Sequence, residues 1–211
     1  MSDERPHDPA EGGVTTEVRD RILLIGLDRP AKMNGYTPQM ARQLVDAFER
    51  LDEEDDLWCG VLFGHGDHFT AGLDLPKFRD AMKSGQRYKR TERVDPMGLG
   101  RRCRKPLVTA VQGVTFTLGI ELMLAGDIVV AADDCRFSQL EPLRGIHAAG
   151  GATIRFVDRG GWGNAMYHLL TSDEFDAAEA HRIGLVQEVW PNDELQQRAQ
   201  DLAQELSLIH I

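Results

Sequence analysis

The chain has 211 residues, 42% of them hydrophobic, with a formal net charge of −10. That length suits one large domain, or a domain with a small appendage. The acidic balance argues against a nucleic-acid or anionic-membrane binder, since both need a basic face, and no apolar run is long and pure enough to span a bilayer. The three cysteines, Cys59, Cys103 and Cys135, are widely spaced and odd in number, which reads as reduced thiols in a cytoplasmic protein. The seven histidines show no metal-ligand spacing, so no metal is expected.

Residues 1–15, "MSDERPHDPAEGGVT", are polar, carry no signal-peptide pattern and are expected to form a disordered tail. "RILLIGLD" reads as a strand, ended by the breakers Pro30, Asn34 and Gly35. A helix is expected next, with Thr37 as its N-cap and Pro38 in its first turn, where a missing N–H costs nothing. Met40, Leu44, Phe48 and Leu51 recur at helical spacing and give it one apolar face. "WCGVLFG" and "PLVTAVQG" read as buried strands, followed by a loop, a short helix through "GIELMLAGD", and the strands "IVVAA" and "CRF". The segment "GGATIRFVDRGGWGNAMYHLLTS" reads as one interrupted apolar helix in which Trp162 and Tyr167 are expected in the core. A helix through "DAAEAHRIG" closes at Gly184, a strand runs through "LVQEVWP", and a final helix opens with Asn192 as its cap. Short strands alternating with helices place the chain in the α/β class.

The densest basic cluster, "RRCRK" from Arg101 to Lys105, reads as a solvated loop rather than an anion contact. "GHGDHFTAG" is neither a dinucleotide fingerprint, since its third glycine is missing, nor a phosphate loop, since no Gly-Lys-Ser/Thr follows. It is a turn, or a loop whose free backbone N–H groups face a ligand. Glu121 stands in an almost uncharged run, just after Gly119 at the expected start of a helix, where free N–H groups favour negative charge. Glu141 stands in a second mostly apolar, turn-rich segment. Burying a carboxylate costs several kcal/mol, roughly, unless it is paired or used. Two such groups suggest acid/base chemistry, because burial can raise a pKa until one holds its proton near neutral pH. The alternative is a structural ion pair of each with Arg102, Arg136 or Arg144. His65, His68 and His147 flank these loops; packing or surface roles fit them better than catalysis, with His147 the strongest exception.

Three motifs stand in order: "LDRPAKMNGYTPQM", "GHGDHFTAGLDL" and "KPLVTAVQGVTFTLGIELMLAGDIVVAADDCRFSQLEPLRGIHAAGG". Together with "LLTSDEFDAAEAHRIGLVQEV" they resemble the enoyl-CoA hydratase/isomerase (crotonase) superfamily, over about Arg21 to Glu205. The resemblance implies an α/β crotonase-like spiral of repeated ββα units, here with a truncated helical C-terminal region. It implies an acyl-CoA thioester as substrate, with no cofactor beyond the coenzyme A it carries, and a homotrimer or dimer of trimers. It implies an oxyanion hole of two backbone N–H groups, at the positions of Leu73 and Leu118, and two catalytic glutamates at Glu121 and Glu141. In hydratases of this kind such a pair adds water to a trans-2-enoyl-CoA. Coenzyme A would lie along Lys32, Met33, Asn34 and Gly35 and along Ala71, Gly72 and Asp74, with Lys77 near its phosphates. Fatty acid metabolism in the cytoplasm is the implied setting.

Two departures from the family pattern stand out. Thr117 and Leu118 replace two glycines of the usual "GGGxE" run, and a Cβ at Leu118 is expected to restrict its φ and crowd the thioester. "GIHAAGG" departs from the commoner "GIPxxGG". These open two alternatives: another acyl-CoA reaction on the same scaffold (isomerisation, hydrolysis, dehalogenation or decarboxylation), or a non-catalytic acyl-CoA binding protein. The domain is expected over 16–205. "LSLIHI", 206–211, matches a translated transposase end used in sequencing libraries and is expected to be foreign to the protein.

Overall fold

In the computed structural model, residues 9–83 and 92–208 are described. A six-stranded sheet is built from Gly13–Arg19 (β1), Ile22–Asp28 (β2), Cys59–Gly64 (β3), Leu107–Val111 (β4), Ile128–Ala132 (β6) and Glu188–Trp190 (β9), in the order β1-β2-β3-β4-β6-β9. Only β1 and β2 pair antiparallel, as a hairpin; the other neighbours are parallel. Parallel neighbours need crossover connections, which is why helices intervene along the chain. β2 and β4 are buried almost throughout, and their runs of Leu, Ile and Val are what a sheet covered on both faces requires. A smaller sheet joins Val114–Phe116 (β5), Arg136–Ser138 (β7) and Phe175–Asp176 (β8).

The helices are Pro38–Glu53 (α1), Leu75–Lys83 (α2), Leu118–Ala125 (α3), Ala152–Thr171 (α4), Ala177–Arg182 (α5) and Asn192–Leu208 (α6). α1 starts as its sequence dictates: the Thr37 hydroxyl accepts from the Met40 amide at 3.2 Å, and Met40, Leu44, Phe48 and Leu51 are buried. α3 is buried at every position, so its faces cannot be told apart by hydropathy. α4 is interrupted at Gly161 (φ 75°, ψ 161°), a conformation open to glycine. Gly184 ends the α5 region with φ 84°, and its amide bonds the His181 carbonyl.

Four expectations are corrected. The expected tail, 1–15, is structured from Pro9: a 3-10 turn spans Pro9–Glu11, and Gly13–Thr15 pair with Asp28, Leu27 and Gly26; residues 1–8 lie outside the described residues. The strand was hidden because β1 has one neighbour and five of its seven residues are exposed, so its sequence stays polar. Trp162 and Tyr167 are not core residues but 70% and 55% exposed, because the break at Gly161 re-phases the second half of α4. Asn192 does not cap α6: it is the first helical residue, its side-chain Nδ2 donates to Asp134 Oδ2 at 2.7 Å, and the Pro191 carbonyl accepts from the Glu194 and Leu195 amides. The loop expected after β4 contains β5, too short at three residues to show a periodicity. Leu206–Leu208 continue α6.

Arg101, Arg102 and Arg104 of the basic run are exposed, as a solvated loop requires, yet Arg101 and Arg104 reach one buried carboxylate. The side chain of Asp52 is wholly buried and accepts from Arg101 at 2.6 Å and from the Arg104 guanidinium at 3.1 Å. Cys59, Cys103 and Cys135 are free thiols, and burial pushes Cys59 up to about 12. No helix among the described residues is long and apolar enough to cross a membrane, and no group of described side chains is arranged to hold a metal ion.

Candidate active site

The site begins with two backbone segments locked together. Thr70 donates its amide to the Val114 carbonyl at 3.2 Å and accepts from the Phe116 amide at 3.0 Å. Gly72 follows with φ 97°, and a Cβ there would lie 1.9 Å from Thr117 Oγ1, so only glycine lets the two segments touch. On the other side, Ala71 donates to the Met33 carbonyl, Tyr36 to that of Gly72, and Asp74 to that of Tyr36. The amide of Leu73, between these, donates to no described residue. Leu118 is the first residue of α3, so its N–H precedes any intrahelical acceptor.

Both amides belong to residues that line one cavity of about 360 Å³. Glu121, one turn into α3, and Glu141, just after β7, line it too. Its remaining wall is mostly apolar, from Ala71, Leu75, Leu140, Ile146 and Ala149, with Arg144 and His147 on the same lining. Glu121 is 4% exposed, and its Oε1 accepts from the amides of Gly150 at 2.6 Å and Ala152 at 3.3 Å. Burial pushes its pKa up to about 7; the Ala152 and Gly150 amides and Arg155 pull against this, and the charge of Glu141 adds to it. Burial also raises Glu141, which is 9% exposed. The wholly buried Gln139, turned as both groups require, donates from its amide nitrogen to Glu141 Oε2 at 2.7 Å and Oε1 at 3.0 Å.

Among the described residues neither glutamate enters an ion pair. Arg102 lies 3.6 Å from Asp127, and Arg136 lies 2.6 Å from Glu174. The structural-ion-pair alternative therefore finds no support here. His65 and His68 have structural partners: His65 Nε2 lies 2.7 Å from the Thr15 hydroxyl, and His68 Nδ1 accepts from the Val114 amide.

Of the residues singled out in the sequence, Leu73, Leu118, Glu121, Glu141 and Ala71 share the cavity. Lys32, Met33, Asn34, Gly35, Gly72 and Asp74 are not on its lining, though the Met33 carbonyl accepts the amide of the lining residue Ala71. Asn34 is wholly buried and ties loops together, donating to the His65 and His68 carbonyls and accepting from the Arg29 amide. Asp74 pairs with Arg29 at 2.8 Å, and Lys77 pairs with Glu11. Sequence reasoning missed Gln139, which lies just past the end of β7 where no strand or helix periodicity marks its side.

The sequence model of the enoyl-CoA hydratase/isomerase family matches residues 17–209. The chain belongs to that family. Enoyl-CoA hydratase EchA19 of Mycobacterium tuberculosis is 33% identical over 195 residues, 90% of this chain and 73% of that protein. The 2,3-dehydroadipyl-CoA hydratase of Escherichia coli is 31% identical, over 90% of this chain and 73% of that one. Among solved structures, a probable enoyl-CoA hydratase/isomerase from Mycobacterium abscessus superposes with a TM-score of 0.88 at 45% identity, covering 92% of this chain and 75% of that one. The α/β architecture described above is thus that of the crotonase superfamily. Within it, the missing glycines are felt one residue earlier than expected: Leu118 takes up helix in α3, while Thr117 carries φ 50° and ψ −112°. That region of backbone space costs a residue with a Cβ roughly 1–3 kcal/mol.

Proposed function

We propose that this member of the family hydrates the double bond of a trans-2-enoyl-CoA. The observation that carries the proposal is the convergence of two buried carboxyl groups, Glu121 and Glu141, with the uncommitted amides of Leu73 and Leu118 on one apolar cavity. The thioester oxygen would accept from both amides, which stabilise the enolate that forms as water's oxygen bonds to the β-carbon. One glutamate takes a proton from that water, and the other gives a proton to the α-carbon, so the product gains one H and one OH. Glu121, poised near neutrality, can serve in either state. The charge of Glu141 adds to the rise in the Glu121 pKa. The apolar wall suits an acyl chain, and the coenzyme A would run along the Lys32–Gly35 segment, whose Met33 carbonyl accepts the Ala71 amide, with Lys77 near its phosphates.

From the family we also infer a homotrimer or dimer of trimers acting in the cytoplasm on fatty acyl thioesters. The exposed Trp162 and Leu170, each 70% accessible on α4, support an assembly.

The test is the loss of enoyl-thioester absorbance with crotonyl-CoA and longer trans-2-enoyl-CoAs. Turnover by the wild type, cut about 10²–10⁴-fold in Glu121→Gln and in Glu141→Gln, is expected. An inert wild type that still binds coenzyme A would make the chain a binding protein instead.

A further inference from the structure

The cavity holds two groups that the hydration chemistry does not use. Arg144 closes the short 3-10 turn Pro142–Arg144 that begins directly after Glu141. In such a turn residues three apart eclipse, so Arg144 stands on the same side as Glu141. Yet it forms no ion pair with Glu141 or with any other described residue. His147 is the second group: its Nδ1 lies 3.2 Å from the Ala148 carbonyl, and Nε2 has no described partner. Both residues are exposed while still lining the cavity, and every other side chain on that lining is apolar except Thr117 and the two glutamates.

An apolar acyl chain gives a guanidinium nothing to bond. A cavity already carrying two carboxyl groups would moreover repel an anionic acyl tail, unless a cation met it. An uncommitted arginine beside an imidazole supplies such a cation, with forked donors matched to a carboxylate.

We propose that Arg144, assisted by His147, recognises a carboxylate at the far end of the substrate's acyl group, so that the preferred substrate class is an enoyl-CoA with a distal carboxylate. This rests on the hydratase reading for the position of the thioester, and it names the acyl class that reading leaves open. The same guanidinium could instead meet a phosphate of coenzyme A, and the test separates the two anions.

The test uses saturated acyl thioesters, which undergo no hydration, so it reads recognition without chemistry. Hexanedioyl-CoA and hexanoyl-CoA, then octanedioyl-CoA and octanoyl-CoA, are titrated calorimetrically into the full chain. The expected result is at least about tenfold tighter binding of the diacid thioester in one of the two pairs, an advantage that shrinks with added salt. Arg144→Gln should lose most of that advantage, and Arg144→Lys should keep part of it. Equal or tighter binding of both neutral thioesters overturns the proposal. So does an Arg144→Gln variant that weakens diacid and neutral thioesters by the same factor, which would place the guanidinium on a coenzyme A phosphate. Circular dichroism of the variants guards against a folding defect, which an exposed position makes easy to avoid. Hydration of crotonyl-CoA is measured separately, so failure of the hydratase reading and failure of carboxylate recognition give different results.

Discussion

The Glu121 carboxylate accepts from the Gly150 amide at 2.6 Å, which fastens α3 to the loop that leads into α4. A Cβ added at Gly150 would lie 2.6 Å from Glu121 Oε2 and 2.8 Å from its Cδ. Gly150→Ala should therefore push the carboxyl group aside while the fold persists. A displacement of about 1 Å can cost on the order of 10²-fold in rate. We expect kcat to fall by that order with an unchanged circular dichroism spectrum. Full activity in the variant would show that the position of Glu121 is not critical.

Glu121 also ties stability to pH. Its ordinary pKa is 4.5, and in the fold it rises to about 7 through burial. Between those values the folded chain holds a proton that the unfolded chain has released, so stability falls as pH rises through the window. The loss attributable to this group is about 3 kcal/mol as an upper figure. Glu121→Gln should escape it. Urea melts at pH 5 and pH 8 should show the variant gaining on the wild type at the higher pH. A difference between the two proteins that is the same at both pH values would contradict the assignment.

Arg155 should tune that same group. Its Nη1 donates to the Gly150 carbonyl at 3.2 Å, it bonds the Met97 carbonyl as well, and its charge lowers the pKa of Glu121. Arg155→Met should move the Glu121 limb of the pH–rate profile upward. Glu141→Gln, by removing a neighbouring negative charge, should move the residual activity's limb downward. Shifts in the opposite directions would refute this account of the field around Glu121.

Asp52 makes a prediction remote from the chemistry. Its buried carboxylate answers Arg101 and Arg104, and the Arg104 amide donates to it at 2.6 Å. Burial alone would raise its pKa, but the Arg104 and Arg101 bonds outweigh this and hold it below 3.8. Its contribution is present above that value and is lost as pH falls through the lowered folded value. Asp52→Asn should cost about 2 kcal/mol, less than a fully enclosed pair, because both arginines keep contact with water. Chemical denaturation at pH 7 measures this, and a change below a few tenths would sink it.

Thr117 inverts the usual rule that adding glycine destabilises. At φ 50° and ψ −112° it sits where glycine is favoured. Thr117→Gly should be neutral or stabilising by up to about 1 kcal/mol, the relief of strain exceeding the entropy gained by the unfolded chain. A thermal melt compared with the wild type decides the sign.

Much of the fold can be read from local chemistry. α1 announces its start through Thr37 and Pro38 and its buried face through four apolar residues, and all of these act within one helix. The glycine pair at Gly160–Gly161 marks the break in α4 for the same reason. What stays hidden depends on partners far along the chain. β1 is a strand because β2 offers it an edge, and Trp162 is exposed because the break turns its half of the helix. In the site, Glu121 and Glu141 stand out because carboxylates are rare in apolar runs. Gln139 does not, since nothing local says that its amide meets Glu141. The sequence likewise puts the strain of the missing glycines at Leu118, because which residue enters the helix first is settled by how Thr117 meets Ser138, whose carbonyl accepts the Thr117 amide at 2.9 Å.

The two hydrogen bonds between Thr70 and β5, one donated and one accepted, have a consequence for how such a protein can diverge. The spacing of the Leu73 and Leu118 amides is set by main-chain bonds and by the Thr70 hydroxyl, which accepts from the Gly72 amide, and not by either leucine side chain. If those amides hold the thioester oxygen as proposed, mutations that swap the two leucines for other side chains would recontour the cavity while leaving both donors where they were, so selectivity could drift over generations without dismantling the catalytic frame.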